Sequence, residues 1–345
     1  MARLPPNILA LFTQALKNFE SSDATFRVLC SLPANSSSPS AAQTNGNGDV
    51  VVVVAEPPRP PKHILVLDSS FNPPTLAHYR MAISALSDPR YKTKVPQDTG
   101  VKESHGMSET TAASRVLLLL AIQNADKAPK PASFPQRLAM MYLFARDILA
   151  EVARKREVEN NSESSSIGCE AVDIAVTTEP YFHAKAQAIA TSDFYLDQQS
   201  ESAVSIDNAV ASEQVYLAGY DTLIRIFNPK YYPDNSMKAS LDPFFAHARL
   251  RITMRTDDSW GDAAAQMSYL DELRGGKLEE VGGRAEWVDK IEMVQGRKSD
   301  EEVVSSTKVR DAVRKRDWGA LETLVGEDVV VWIRENGLYD SDDDV

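Results

Sequence analysis

Cysteine is scarce in this chain: Cys30 and Cys169 are the only two among 345 residues. Two widely separated thiols exclude a disulfide framework and offer no metal-ligand or redox spacing, which fits a reducing compartment, cytosol or nucleus. Long apolar runs are missing as well. An unbroken run such as Val116 to Ile122 falls far short of the ~20 residues a membrane-spanning helix needs, so no membrane partner is expected. The start, Met1-Ala2-Arg3-Leu4-Pro5-Pro6, breaks before the apolar stretch of a secretory leader could develop. Positive charge is also short, with 37 Lys and Arg against 49 Asp and Glu and a net charge of −12. Phosphate-backbone affinity needs a basic surface, so a general nucleic-acid binder is excluded and any phosphate site must be local.

What is present is an ordinary globular composition, 43% apolar and 25% charged. The length would allow two domains, but several polar stretches subtract from the packed core and favour one decorated domain. The stretch that organises the rest runs from His63 to His78. Ile64 to Leu67 reads as a buried strand of a parallel sheet, Asn72-Pro73-Pro74 as a turn into a helix, and Leu76, Tyr79, Ile83 and Leu86 recur at helical spacing. Thr75 and His78 stand three apart at the helix start, where unpaired N–H groups and the dipole favour an anion.

In chain order, residues 7 to 20 give an amphipathic helix, and Thr25 to Leu29 a short strand. Residues 31 to 62 read as a low-complexity insertion in which Val50 to Val54 is either an edge strand or unpaired. Residues 87 to 113, 154 to 169 and 192 to 212 are polar excursions. Between them lie a strand at Arg115 to Leu120, a turn with Asn124, Lys127 and Lys130, a helix from Phe134 to Ala153 headed by Arg137, and a strand at Ala171 to Val176. His183 reads as structural rather than catalytic. Val215 to Gly219 is a strand ending in Gly219-Tyr220-Asp221, followed by aromatic Tyr231 and Tyr232; read alone, this is a plain strand-to-helix turn with Asp221 as cap. Ala248 to Met254, a helix over about 262 to 274 and a strand at Lys290 to Val294 complete an alternation that implies a parallel sheet. The last motif is Ser305-Ser306-Thr307-Lys308-Val309-Arg310, a helix start rich in hydroxyls and cations. The tail Asp340-Ser341-Asp342-Asp343-Asp344 is a solvated acidic end.

Two of these stretches resemble a known family. Ser69-Ser70-Phe71-Asn72-Pro73-Pro74-Thr75-Leu76-Ala77-His78 is similar to the Gly-x-Phe-Asn-Pro-x-(His/Thr)-x-Gly-His signature of the HxGH nucleotidylyltransferases. Ser305 to Arg310 resembles the Ser-Ser-Thr-x-(Ile/Val)-Arg string of the nicotinamide mononucleotide adenylyltransferases, in a divergent fungal branch of promoter-of-filamentation type. Ser69 and Ala77 stand where the signature has glycine. Their β-carbons are expected to slow transfer more than they weaken recognition of the base.

The resemblance implies a Rossmann-like α/β nucleotidylyltransferase fold, a parallel sheet with helices on both faces. The domain would span residues 63–340, with a helical appendage at 1–30, the insertion at 31–62 and the acidic tail at 341–345. It implies transfer of AMP from ATP to nicotinamide mononucleotide, with Mg²⁺ held mainly by the ATP phosphates and no protein metal ligand. His78, Thr75, Lys127 and Arg310 would be catalytic. Ser69, Ser70, Phe71, Asn72, His78, Gly219, Asp221, Ser305, Ser306, Thr307 and Arg310 would bind ATP, and Asn124, Lys130, Arg137, Tyr231 and Tyr232 the acceptor. Other phosphorylated acceptors, and a sensor that binds or hydrolyses ATP, stay open.

Overall fold

Apolar residues spaced at helical intervals build the first element, α1 (Ile8–Glu20), which buries Ile8, Phe12, Leu16 and Phe19. The computed structural model describes residues 5, 7–34, 42–44, 50–52, 54, 56–57, 59–91, 114–123, 132–159, 168–196, 212–232, 234, 236–255, 260–296 and 301–340. After α1 come β1 (Phe26–Pro33), β2 (Ala42–Thr44), β3 (Val50–Val52) and β4 (His63–Asp68), then α2 (Leu76–Leu86), β5 (Ser114–Ala121) and α3 (Phe134–Glu159). β6 (Cys169–Thr177), α4 (Phe182–Ala190), β7 (Glu213–Gly219), α5 (Tyr220–Ile226), α6 (Met237–His247) and β8 (Ala248–Thr253) follow. The chain continues through α7 (Ala263–Glu272), the single turn α8 (Leu278–Glu280), β9 (Ile291–Val294), α9 (Ser306–Arg314), α10 (Trp318–Glu322) and α11 (Glu327–Glu335).

Seven strands form one sheet in the order β1-β6-β5-β4-β7-β8-β9, all parallel except β1, which runs antiparallel to β6. The continuous apolar runs follow from this arrangement, because a strand covered on both faces buries alternate side chains in opposite directions. Leu65, Leu67, Val116, Leu118 and Leu120 face α1, α2 and α3. Ile64, Val66, Leu117 and Leu119 face α4, α5 and α6. A third cluster packs α9, α10 and α11 against Met140 and Leu143 of α3. The α/β expectation holds.

From β4 the chain moves outward through β5 and β6, then returns to the other side of β4 with β7. That reversal is a topological switch point, and in open α/β sheets the crevice at such a point, here at the carboxyl ends of β4 and β7, is where ligands bind. Both the loop after Asp68 and Gly219-Tyr220-Asp221 empty into it.

Three boundaries differ from the sequence reading. Part of the stretch read as an appendage belongs to the sheet: β1 extends to Pro33 and pairs with β6 from Phe26↔Thr177 to Pro33↔Ala171. The reading stopped at Leu29 because Cys30-Ser31 interrupts the apolar pattern, yet Ser31 is fully buried, donating to Asp173 at 2.6 Å. Val50 to Val52 joins neither sheet edge; it pairs with β2 in a separate two-stranded ribbon. Finally, α3 continues to Glu159 rather than Ala153. Its charged last turns are an exposed helix face joined by Arg154–Glu151 and Lys155–Glu151 pairs at i, i+3 and i, i+4.

Candidate active site

β4 delivers the loop: Ser69 N–H still bonds Leu119 O at 3.3 Å, and the chain then leaves the sheet. Phe71 turns it with φ of 44°. A bulky residue in that region is uncommon, and here its ring is wholly buried, 5.5 Å from the His78 ring and 6.3 Å from that of Phe144. Asn72 is also buried. Its Oδ1 accepts from Ala132 N–H at 2.8 Å and from the Tyr339 hydroxyl at 2.9 Å. Thr75, 2% exposed, caps α2, and the first helical N–H, that of Leu76, bonds Leu324 O at 2.9 Å.

The His78 imidazole closes a capping box on Thr75. Thr75 N–H donates to Nδ1 at 3.0 Å, with Thr75 Oγ1 at 2.9 Å from the same nitrogen. An Nδ1 that accepts carries no hydrogen, so the hydrogen sits on Nε2, which meets Ser69 Oγ at 3.0 Å. Burial lowers the His78 pKa to about 4. The ring is therefore a neutral donor at physiological pH.

The C-terminal motif arrives on α9. Ser305 is its N-cap, accepting from Lys308 N–H at 3.3 Å. Ser306 Oγ donates to Pro73 O at 2.8 Å, and Arg310 Nη1 donates to Asn72 O at 2.7 Å while Nη2 reaches Thr307 Oγ1 at 3.2 Å. Two motifs some 230 residues apart in sequence are thus joined directly. Arg137 lies nearby, 5% exposed, with Nε donating to Ala132 O at 2.7 Å. Burial lowers its pKa, the Tyr339 hydroxyl raises it, and the Arg310 charge lowers it further. Two guanidiniums that repel one another make a region that an anion would stabilise.

At the end of β7, Gly219 rather than Asp221 is the N-cap of α5. A β-carbon there would lie 2.8 Å from Asp221 Oδ1, which explains the glycine. Asp221 pairs with Arg225 at 2.9 Å on a partly exposed surface. The two candidate tyrosines separate. Tyr232 is core: 8% exposed, it donates to Ile226 O at 2.7 Å. Tyr231 stays partly exposed, edge-on to Tyr181 at 6.4 Å and beneath Lys230 Nζ at 4.4 Å. His183 stacks on Tyr181 within 5° at 5.7 Å, and burial lowers its pKa.

The structure therefore gathers Ser69, Phe71, Asn72, Thr75, His78, Arg137, Ser305, Ser306, Thr307 and Arg310 at one end of the sheet, with Ser70 exposed on the same loop. Phe71 and Asn72 point inward and shape the loop through core packing and hydrogen bonds. Asn124, Lys127, Lys130 and the tail 341–345 lie outside the described residues. One pair escaped the sequence reading. Lys185 Nζ donates to Asp68 Oδ2 at 2.5 Å, the side chains 7% and 8% exposed, tying α4 to the residue before the loop. An aspartate ending an apolar strand was the available signal; nothing in the sequence pointed to Lys185 as its partner.

No family model matches the chain. A protein of Schizosaccharomyces pombe named "Putative nicotinamide mononucleotide adenylyltransferase" is 29% identical over 271 residues, 78% of this chain and 83% of that protein. Among solved structures, a Plasmodium falciparum nicotinic acid mononucleotide adenylyltransferase complexed with NaAD aligns over 81% of this chain and 98% of its own, at 13% identity and a TM-score of 0.41. The same enzyme complexed with APC gives 12% identity and a TM-score of 0.39 over the same shares.

Proposed function

We infer the activity of this chain from its similarity to a protein named a putative nicotinamide mononucleotide adenylyltransferase. The reaction we propose is transfer of AMP from ATP to nicotinamide mononucleotide. An oxygen of the acceptor's phosphate attacks the α-phosphorus, the bond to the β-phosphate oxygen breaks, pyrophosphate leaves, and NAD is the product. No protein nucleophile is required, so the chain contributes positioning and charge stabilisation.

The observation that carries this reading is the direct joining of the two motifs. Arg310 and Ser306 donate to the carbonyls of Asn72 and Pro73, which brings the N-termini of α2 and α9 together at the crevice beside β4. Two helix starts, the Arg310 and Arg137 guanidiniums and the hydroxyls of Ser69, Ser305 and Thr307 suit a polyphosphate. Tyr231 and Tyr181 offer aromatic faces for the acceptor's ring. In this reading Mg²⁺ would be held mainly by oxygens of the triphosphate, whose charge it would neutralise.

The test is to incubate the protein with ATP, Mg²⁺ and a panel containing nicotinamide mononucleotide, nicotinic acid mononucleotide and pantetheine phosphate, and to identify products by mass. NAD formation with stoichiometric pyrophosphate release is expected. Phosphate or pyrophosphate release that needs no acceptor would replace transfer with hydrolysis.

A further inference from the structure

Ser69 was expected to be an obstruction, a β-carbon where the resembled signature has glycine. Its contacts give it a different role. Both nitrogens of His78 are occupied within the protein, Nδ1 by Thr75 N–H at 3.0 Å and Nε2 by Ser69 Oγ at 3.0 Å. The imidazole therefore has no remaining donor for a ligand. Ser69 Oγ accepts the Nε2 hydrogen, and among the described residues it has no second hydrogen-bond partner. Its own hydrogen is free.

The position of that hydroxyl matters. Ser69 is partly exposed, one residue beyond the end of β4, at the crevice where the sheet reverses its order. Accepting a hydrogen bond polarises a hydroxyl and makes it a stronger donor in turn. The chain from Thr75 N–H through His78 to Ser69 Oγ–H is fixed at its inner end by the start of α2, so its outer end has a set direction.

We propose that Ser69 Oγ–H is the group that donates to a phosphate oxygen of the bound nucleotide, and that His78 is a positioning residue acting through it. The proposal rests on the nucleotide-binding reading above. No proton is transferred; the hydroxyl hydrogen-bonds the oxyanion and Nε2 holds the hydroxyl.

The experiment measures binding of inorganic pyrophosphate by calorimetry, and AMP transfer in parallel, for wild type, Ser69→Ala, Ser69→Thr, His78→Ala and the Ser69→Ala/His78→Ala double variant. Losing a hydrogen bond to a charged group should weaken pyrophosphate about tenfold in each alanine variant. Because the two residues act as one unit, the double variant should lose no more than His78→Ala alone. Ser69→Thr, which keeps the hydroxyl, should bind like wild type. The melting temperature of Ser69→Ala, read alongside, should stay unchanged, since the hydroxyl anchors nothing but the imidazole, whereas the two variants that lose His78 also lose its capping box on Thr75 and should melt lower. Wild-type affinity in Ser69→Ala, or losses that multiply in the double variant, would overturn the proposal. If Ser69-dependent pyrophosphate binding persists but no acceptor yields a product, transfer fails and the role of Ser69 stands. If products form at the wild-type rate in Ser69→Ala, the role of Ser69 fails and transfer stands. A wild-type protein that binds no pyrophosphate sinks both.

Discussion

His78 is held by Thr75 on one side and Ser69 on the other, and this fixes how it responds to acid. Protonation would put a second hydrogen on Nδ1, facing the Thr75 N–H that now donates to it. Burial already disfavours the cation and lowers the pKa from 6.5 to about 4. The sign follows: between those values the unfolded chain binds a proton that the native ring refuses, so stability present above pH 6.5 is lost progressively as pH falls toward 4. An NMR titration of the His78 ring should show the neutral Nε2–H form persisting to about pH 5. A midpoint near 6.5 would mean that the ring is not desolvated in solution. The same residue shows what a motif conveys. Its position at a helix start was legible from the proline turn and the apolar spacing after it. Its engagement with Ser69 was not, because the contact joins a strand end to a helix across a turn whose path depends on burying Phe71.

At the scale of elements, the sequence identified those with strong periodicity. β4 and β5 fall where unbroken apolar runs placed them, since a strand buried on both faces leaves few polar residues to confuse the pattern, and β6, β7 and β8 fall close to their readings although Asp173, Arg249 and Arg251 interrupt two of them. β1 was cut short and α3 stopped early, both where tertiary contacts override local composition: Ser31 donates to a buried carboxylate, and the end of α3 is a charged solvent face. The join between α3 and α11 was also invisible, and it holds an acid under strain of another kind. Asp147 on α3 faces Gly326, the N-cap of α11, closely enough that a β-carbon there would collide with its carboxylate. Burial first, then the charge of Asp328, raises the Asp147 pKa from 3.8 to about 6, with Arg146 opposing and Glu327 adding to the rise. Native protein keeps this proton longer than unfolded chain does, so stability falls as pH rises from 3.8 to 6 and the full cost is present at neutral pH. Asp147→Asn should therefore stabilise the protein at pH 7 by ~2 kcal/mol and flatten its pH dependence across that window. Urea unfolding at pH 4.5 and 7 checks this; an Asn variant no more stable at pH 7 than wild type would show that water relieves the buried charge.

For the whole molecule, the question is whether the N-terminal segment belongs to the fold. The sheet ends on β1, whose removal would leave the β6 edge unpaired from Ala171 to Thr177. Asp173, wholly buried on that strand, collects the Ser31 hydroxyl at 2.6 Å, Arg115 Nη2 at 2.7 Å and Nε at 2.8 Å, and the Tyr195 hydroxyl at 2.9 Å. Such a network is stable only when every donor is present, because the desolvated carboxylate cannot find water instead. Losing the Ser31 hydroxyl alone, in Ser31→Ala, should cost about 1–3 kcal/mol in urea unfolding. Deleting residues 1–33 goes further, since Ile8, Phe12, Leu16 and Phe19 of α1, all 7% exposed or less, leave with it. Each buried side chain of that size contributes about 1.5–3 kcal/mol. Four of them together rival the whole margin of about 5–15 kcal/mol by which a domain is folded. The truncated chain should aggregate through its open β6 edge, while Ser31→Ala stays soluble with a lowered midpoint. A soluble truncated chain that melts cooperatively at the full-length temperature would restore the reading of residues 1–30 as an appendage.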